Sequence, residues 1–334
     1  MPAAAHEAAS TVLRHGLNHG RADGSYIKAT LEAGERQRAA YAVALGADPE
    51  TVALTASTTY GINTVLAGMR FAPCDEILTS DQEHPGLLAP LRRLQRLAGL
   101  KVKIVPFAEL PGEVSALRTK LVACSHVSWV GGEVMDVAAL RATGVPVLLD
   151  AAQGLGAIKV DVAELGVEFY AGSGQKWMCG PEGSGALYVR PDCLDQLEPA
   201  FPGYGTVRAG KPVLEADLQP SAARFDAGFP SAVNAAWAVA SAGVLAEAGW
   251  DWVWSSAAEG AAKLADLLRE RGHQVAPRGA STLVSWAAED PEAEVARLLA
   301  AGVVVRSIPA AGLVRASVGA WTSQEELERL AKLA

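Results

Sequence analysis

Short apolar runs rich in β-branched residues alternate with longer stretches of helical periodicity through the middle of the chain. Three of these runs predict buried strands, at residues 102–107, 120–125 and 146–152. Residues 84–99 repeat apolar side chains at helical spacing, and Pro85 is well placed for a first helical turn. Two shorter helical patterns lie at 133–143 and 160–165. This alternation predicts a mainly parallel sheet covered on both faces, in one large α/β domain over residues 20–240.

The C-terminal part of the chain has a different pattern. A long amphipathic segment (257–271) precedes several strand-like runs, and a second amphipathic segment (323–333) ends the pattern. The strand-like runs lie near 282–286, at 303–307 and at 314–320. We expect a smaller α+β domain made of residues 1–19 and 241–334, with a helix at 3–14 packed against it.

Composition and charge narrow the class of protein. The 334 residues include 29 basic and 37 acidic side chains, and the net charge of −8 argues against nucleic acid or an anionic membrane as partner. The uncharged stretch 227–246 contains Pro230 and few large apolar side chains, so we interpret it as a loop followed by a packed helix rather than a membrane span. Four scattered cysteines indicate neither a disulfide framework nor a metal site, and they fit a reducing, cytoplasmic setting.

The segment GSGQKWMCGPEGSGALYV (172–189) contains a single lysine, Lys176, between an apolar strand and a glycine-rich turn. A lysine at a strand end beside small residues can form a Schiff base with a carbonyl compound. Partial burial would lower the pKa of its amine below about 10.4 and favour the neutral nucleophile. On this segment alone, a surface lysine in a turn is an equally good interpretation.

A carboxylate and an amide follow the apolar run that ends 26 residues before the lysine. Asp150 ends the run VPVLLD, and Gln153 follows three residues later. The carboxyl end of a parallel strand is where α/β folds bind ligands, so Asp150 is a candidate binding residue. Capping of the next helix is the alternative role for this aspartate.

Two strand-to-helix junctions carry further candidates. TASTTYGIN (55–63) has four hydroxyl side chains within five residues at the start of a helical pattern, which indicates a phosphate site at a helix N-terminus. In QEHPG (82–86), His84 precedes a helix-starting proline and could stack on a flat ring, although a lone histidine is more often structural.

These four features, in this order, resemble the class V aminotransferase family of fold-type I enzymes dependent on pyridoxal phosphate (PLP), which includes the cysteine desulfurases. The resemblance runs from about residue 3 to residue 333. It implies that Lys176 holds PLP as an internal aldimine and then moves protons at the substrate Cα. It also implies that Asp150 pairs with the pyridine nitrogen, that Gln153 bonds the phenolic oxygen and that His84 stacks on the ring. Three hydroxyl side chains would bind the phosphate, namely those of Thr58, Thr59 and Ser173.

Other positions bear on the substrate. Arg315 matches the residue that binds the substrate α-carboxylate, for which a guanidinium fork is well suited. Gln175 takes the place where desulfurase-like members often have a phosphate-binding histidine, and Phe229 replaces a threonine that reaches the partner subunit's phosphate in relatives. Trp129 lies where many desulfurases have asparagine; it is a candidate substrate-binding residue, or simply a packed aromatic.

No cysteine lies between residues 306 and 315, where desulfurases carry the thiol that takes up sulfur. EHPG, the S-H-x-x-W-x-x-G pattern around Trp129, and QKWMCGPEG resemble instead the cyanobacterial-type cysteine/cystine C–S lyases. We therefore expect a homodimeric enzyme that acts on a small L-amino acid by β-elimination at a C–S bond. Transamination is the alternative reaction, and a non-catalytic binding protein with this fold is a further one.

Overall fold

The computed structural model describes residues 1–334. Its strands are β1 (Val52–Thr55), β2 (Glu76–Ser80), β3 (Lys101–Val105), β4 (Thr119–Ser125), β5 (Val147–Asp150), β6 (Phe169–Ser173), β7 (Gly185–Val189), β8 (Leu283–Ala287), β9 (Arg306–Ile308) and β10 (Leu313–Ser317). Its helices are α1 (Ala3–His19), α2 (Gly24–Leu45), α3 (Thr58–Gly68), α4 (Pro85–Ala98), α5 (Val137–Ala142), α6 (Val162–Leu165), α7 (Ala232–Ala248), α8 (Trp250–Glu270), α9 (Pro291–Ala300) and α10 (Gln324–Leu333).

The first seven strands form one sheet in the order β1-β7-β6-β5-β4-β2-β3. Strands β3, β2, β4, β5 and β6 pair in parallel, whereas β7 is antiparallel to both of its neighbours. The prediction of an α/β fold with a mainly parallel sheet is therefore confirmed. A second, antiparallel sheet has the order β8-β10-β9, as expected for the α+β part of the chain.

Helices cover both faces of the large sheet. Leu148 packs with α3 and α4 in one core cluster, while its neighbour Leu149 packs with α2 and α7 in another. Successive residues of a strand point to opposite faces, so two cores require consecutive apolar side chains, and β5 has three of them before Asp150. A third cluster joins α8, α9 and α10 to the small sheet.

Several predicted element boundaries are wrong, each for a visible reason. The helix predicted at 133–143 is confined to α5, because Val134 instead forms a bridge with Val127. The helix predicted at 257–271 begins earlier, at Trp250 directly after Gly249, because the segment WDWVW forms the first turn of α8. The N-terminal helix packs against α7, which crosses the expected domain boundary at residue 240. The domain division itself stays a prediction.

Hydrogen bonds join the small sheet to the loop that follows β4, residues 126–132. The donors are side chains and the acceptors are backbone carbonyl oxygens: Ser281 to Gly132, Ser285 to Val130 and Arg315 to Trp129. We call these three bonds the seam. The seam holds one edge of the small sheet against the carboxyl end of the large sheet.

None of the helices combines the length and the apolar character that a bilayer crossing requires.

Candidate active site

A cavity of about 330 Å³ opens where the carboxyl ends of the parallel strands meet the small sheet. Six residues singled out from the sequence line it: His84, Trp129, Asp150, Gln153, Lys176 and Arg315. They lie on or shortly after strands β2, β4, β5, β6 and β10, so the fold brings together side chains that are up to 231 positions apart in the chain. This is the edge of an α/β sheet at which ligands bind.

Lys176 lies in the tight connection between β6 and β7. Backbone bonds from Gly180 to Gly174 (2.8 Å) and from Cys179 to Lys176 (3.1 Å) close this turn. The turn leaves Lys176 open to solvent through the cavity, yet surrounding protein atoms still desolvate its ammonium group. That burial lowers the pKa of Lys176, with Asp150 opposing the effect and Arg315 adding to it. A lowered amine pKa favours the neutral nucleophile at neutral pH.

Asp150 and Gln153 are buried in the floor of the cavity. Asp150 accepts a hydrogen bond from the backbone N–H of Ala152 (2.9 Å), and burial raises the pKa of its carboxyl group. The indole N–H of Trp177 donates to Gln153 Oε1 (2.8 Å), which leaves the side-chain N–H₂ of Gln153 as a donor toward the cavity. The floor thus offers one carboxylate acceptor and one amide donor.

His84 and Trp129 form an edge-to-face pair with ring centroids 5.1 Å apart. The backbone N–H of Gly86 donates to His84 Nδ1 (3.0 Å), so the neutral ring carries its proton on Nε2. Burial, Lys176 and Arg315 lower the pKa of His84, which favours that neutral form. The imidazole is therefore a neutral aromatic surface in the wall of the cavity.

Arg315 lies behind Trp129. Its guanidinium carbon is 5.9 Å from the centroid of the indole ring, and one of its amino groups forms the seam bond to the Trp129 carbonyl. Its Nε–H has no partner although it is buried, and burial lowers the pKa of Arg315 to about 10. An unpartnered donor on a buried cation is a site for an anion.

The predicted phosphate residues lie beside this cavity rather than in its lining. Thr58 Oγ1 and Ser173 Oγ are 3.0 Å apart and buried, at the start of α3 and the end of β6. Thr59 and Gln175 are exposed. A Cβ on Gly86 would lie 2.4 Å from Thr59 Oγ1, so the glycine lets the His84 segment approach the start of α3 closely. Hydroxyls and a helix N-terminus are suitable for an anionic group.

Two residues of the site were not found from the sequence. Arg306 lines the cavity and lies opposite Arg315 in the β9–β10 register. Only the fold shows this, because nothing in the strand pattern at 303–307 marks an arginine as a site residue. Glu83 is buried directly before His84, and burial raises the pKa of its carboxyl group to about 7. Glu83 belongs to the motif QEHPG, but nothing in that motif indicates a function for it.

A parallel sheet with a lysine, a buried carboxylate and an amide at one edge defines a PLP-dependent enzyme of fold type I. The family model of aminotransferase class V matches residues 1–330, and the chain belongs to that family. The resemblance inferred from the sequence, the fold type and the cofactor are thereby confirmed.

Curated relatives have several activities. A probable cysteine desulfurase of Pseudomonas aeruginosa is 32% identical over 328 residues, 88% of this chain and 79% of the relative. Isopenicillin N epimerase of Streptomyces clavuligerus is 34% identical over 169 residues, which is 46% of this chain. The matches to that epimerase and to a probable cysteine desulfurase of Pyrococcus abyssi span 42% and 52% of those relatives' lengths. The family thus leaves the reaction of this chain open.

Solved structures are similar over the whole chain. The cystine C–S lyase C-DES, in complex with its reaction product cysteine persulfide, superposes with a TM-score of 0.93 at 26% identity, covering 100% of this chain and 94% of that one. A variant of C-DES with glycine covalently linked to its PLP gives the same TM-score. An apo cysteine desulfurase of Thermococcus onnurineus has a TM-score of 0.85 at 27% identity, covering 100% of this chain and 90% of that one.

The side chains present fit PLP. The cavity holds an amine of lowered pKa, a buried carboxylate with spare acceptor capacity, an amide donor and a neutral imidazole. A buried pair of hydroxyls lies beside it at a helix N-terminus. These groups match the aldehyde, ring nitrogen, phenolic oxygen, ring face and phosphate of the cofactor, respectively.

Proposed function

We propose that this protein cleaves a C–S bond of a small L-amino acid by PLP-dependent β-elimination, with cystine as the preferred kind of substrate. The observation that carries the proposal is a pair of arginines, Arg306 and Arg315, in the same cavity as Lys176. Cystine has two α-carboxylates, so each guanidinium would meet one of them. The likeness to a cystine C–S lyase over the whole chain supports this choice.

The electrostatics of the arginine pair favour a substrate with two carboxylate groups. Burial lowers the pKa of Arg315, and the like charge of Arg306, which is exposed at the cavity, lowers it further. A ligand with one carboxylate near each arginine would remove this repulsion as it binds. A ligand with a single carboxylate would leave one guanidinium uncompensated.

Each predicted site residue takes a defined role in this proposal. When bound, PLP acidifies the substrate Cα–H bond and accepts the electrons of that bond. Lys176 would hold the cofactor and then carry the Cα proton, while Arg315, which packs against the indole of Trp129, would orient the substrate carboxylate. The other roles are Asp150 at the ring nitrogen, Gln153 at the phenolic oxygen, His84 on the ring face, and Thr58, Thr59, Ser173 and Gln175 at the phosphate.

The cysteines of the chain support elimination over a thiol relay. None of the residues that line the cavity is a cysteine, and Cys124 and Cys193 are buried. With no thiol there to take up sulfur, the sulfur leaves with the substrate fragment. In cystine the Cα–H and Cβ–S bonds break, a persulfide departs, and the aminoacrylate formed hydrolyses to pyruvate and ammonia.

The first test is the product pattern of the purified holoenzyme. With L-cystine we expect pyruvate, ammonia and cysteine persulfide in equal amounts, and with L-cysteine pyruvate, ammonia and sulfide. The control reaction is L-alanine with a 2-oxo acid. L-Alanine has no leaving group at Cβ, so it cannot undergo β-elimination but can be transaminated. Keto acid exchange with alanine but no pyruvate from cystine would contradict the proposal and establish transamination.

We also propose a homodimer whose interface includes the loops at 198–231. Several large apolar side chains are exposed there, among them Phe201, Tyr204, Leu214 and Phe229. Phe229 and Tyr204 line a cavity of about 340 Å³ together with Gly183 of the Lys176 turn, so a second copy on this face would lie close to the phosphate end of the site. Exposed apolar groups of this density are typical of interfaces.

Light scattering of the eluting protein is expected to give twice the chain mass of 34.7 kDa. Phe229→Asp is expected to shift the protein toward monomer, because a charge would be buried in the interface without a partner. Trp252→Asp is the matched control, since Trp252 is exposed to a similar degree on α8 and lies outside these loops. A monomeric parent protein would rule out the dimer. The cytoplasmic setting stays a proposal as well.

A further inference from the structure

The loop between β2 and α4 carries a buried carboxylate, Glu83, to which the proposed function assigns no role. Glu83 is 4% exposed. Ser80 Oγ donates to one of its carboxylate oxygens. Ser125 donates to the other oxygen from its backbone N–H (2.9 Å) and from Oγ (2.6 Å). Glu83 therefore ties its loop to the carboxyl ends of both β2 and β4.

The residue before Glu83 is held as well. The amide of Gln82 donates to Glu133 Oε2 (3.0 Å) and accepts from Ser128 Oγ on the loop after β4. With both side chains bonded to neighbouring segments, the backbone reaches His84 in a fixed position. The imidazole is then directed into the cavity by its own bond from Gly86.

Ser125 connects these hydrogen bonds of Glu83 to the floor of the site. It lines the cavity and lies opposite Asp150 in the β4–β5 register. Ser125 thus joins the loop that carries His84 to the strand end that carries Asp150. Burial raises the pKa of Glu83 to about 7, although the hydrogen bonds from Ser125 and Ser80 oppose this rise. The contribution of Glu83 is two acceptor oxygens placed between two serines.

We propose that Glu83 is a positioning residue. By accepting hydrogen bonds from both Ser80 and Ser125, it holds the loop between β2 and α4 in the position that places His84 against the cofactor ring. This inference concerns the cofactor and not the reaction, so it is independent of C–S cleavage. It rests on the place of His84 at the ring proposed above.

The test uses apoprotein reconstituted with PLP and reads the dissociation constant of PLP and the visible circular dichroism of the bound cofactor. Glu83→Ala is expected to weaken PLP binding about tenfold and to change the dichroic band in the same direction as His84→Ala, because two serines lose their acceptor. Glu83→Gln is expected to keep both values within about threefold of the parent, since its amide oxygen and nitrogen can serve the same two serines.

The matched control is Glu76→Ala. Glu76 accepts from Thr119 Oγ1 (2.9 Å) and so joins β2 to β4 at the opposite end of the same strand pair, away from the cavity. It should leave both readings unchanged. If Glu83→Ala does not fold, Glu83→Asp replaces it, because the shorter side chain cannot reach both serines. Parental binding and dichroism in the Ala or Asp variant, a Gln variant as impaired as Ala, or an unchanged band in His84→Ala would each overturn the proposal.

Discussion

Lys176→Ala is expected to abolish turnover and to leave no cofactor that borohydride can fix to the chain. Lys176 is the only lysine that lines the cavity, so no second amine is placed to replace it. Loss of the group that moves the Cα proton should lower kcat by about a thousandfold or more. The measurements are pyruvate release from L-cystine and the mass of the borohydride-treated protein.

Two comparisons make this result specific. Lys159→Ala removes a lysine whose only ion pair is with Asp251 on the surface, and it should retain full activity and full labelling. Lys176→Ala should keep the melting temperature of the apoprotein, because the ammonium group of Lys176 donates no hydrogen bond to another residue of the fold. Normal turnover by Lys176→Ala would remove this lysine from the reaction and with it the assignment of the site.

Arg315→Ala is expected to raise KM for L-cystine strongly. Its guanidinium is buried, has an unpartnered Nε–H and lies in the wall of the cavity, so the substrate carboxylate would lose a charge-assisted contact. The loss in kcat/KM should correspond to about 2–4 kcal/mol, or roughly 30- to 1000-fold. Steady-state kinetics with L-cystine and L-cysteine measure it, and PLP content serves as the check on folding.

Arg306→Ala provides the comparison for this second prediction. If each guanidinium meets one carboxylate, the loss of Arg306 should impair L-cystine and spare L-cysteine, whereas the loss of Arg315 should impair both. Arg315→Lys keeps the charge without the fork and should recover only part of the affinity. An unchanged KM in Arg315→Ala would exclude this residue from substrate binding. Equal effects of Arg306→Ala on both substrates would exclude a preference for a substrate with two carboxylates.

The sequence was informative where a single physical requirement dominates a segment. Strands β4, β5 and β6 are buried on both faces, so their apolar runs mark them to within a few residues. Lys176 and Asp150 could be found because polar residues at the ends of such runs are conspicuous. The sheet edge on which they meet follows from the parallel arrangement alone.

Other parts could not be read from the chain because their stabilising contacts are remote in sequence. Helix α2 was missed since its buried face includes Thr30, Gln37 and Arg38, which break the apolar periodicity. Arg38 is buried only because Asp226, 188 positions away, accepts two hydrogen bonds from it. Glu83 is similar, since its partner Ser125 lies on another strand.

The seam has a consequence for the energetics of substrate capture. It fastens the strand that carries Arg315 to the loop that carries Trp129, so the two residues proposed to bind the substrate are held together by the fold itself. Substrate binding then costs little free energy for bringing the two sheets together. More of the binding free energy can orient the reacting bonds of the substrate. We therefore expect a rigid template rather than a site that closes on its substrate.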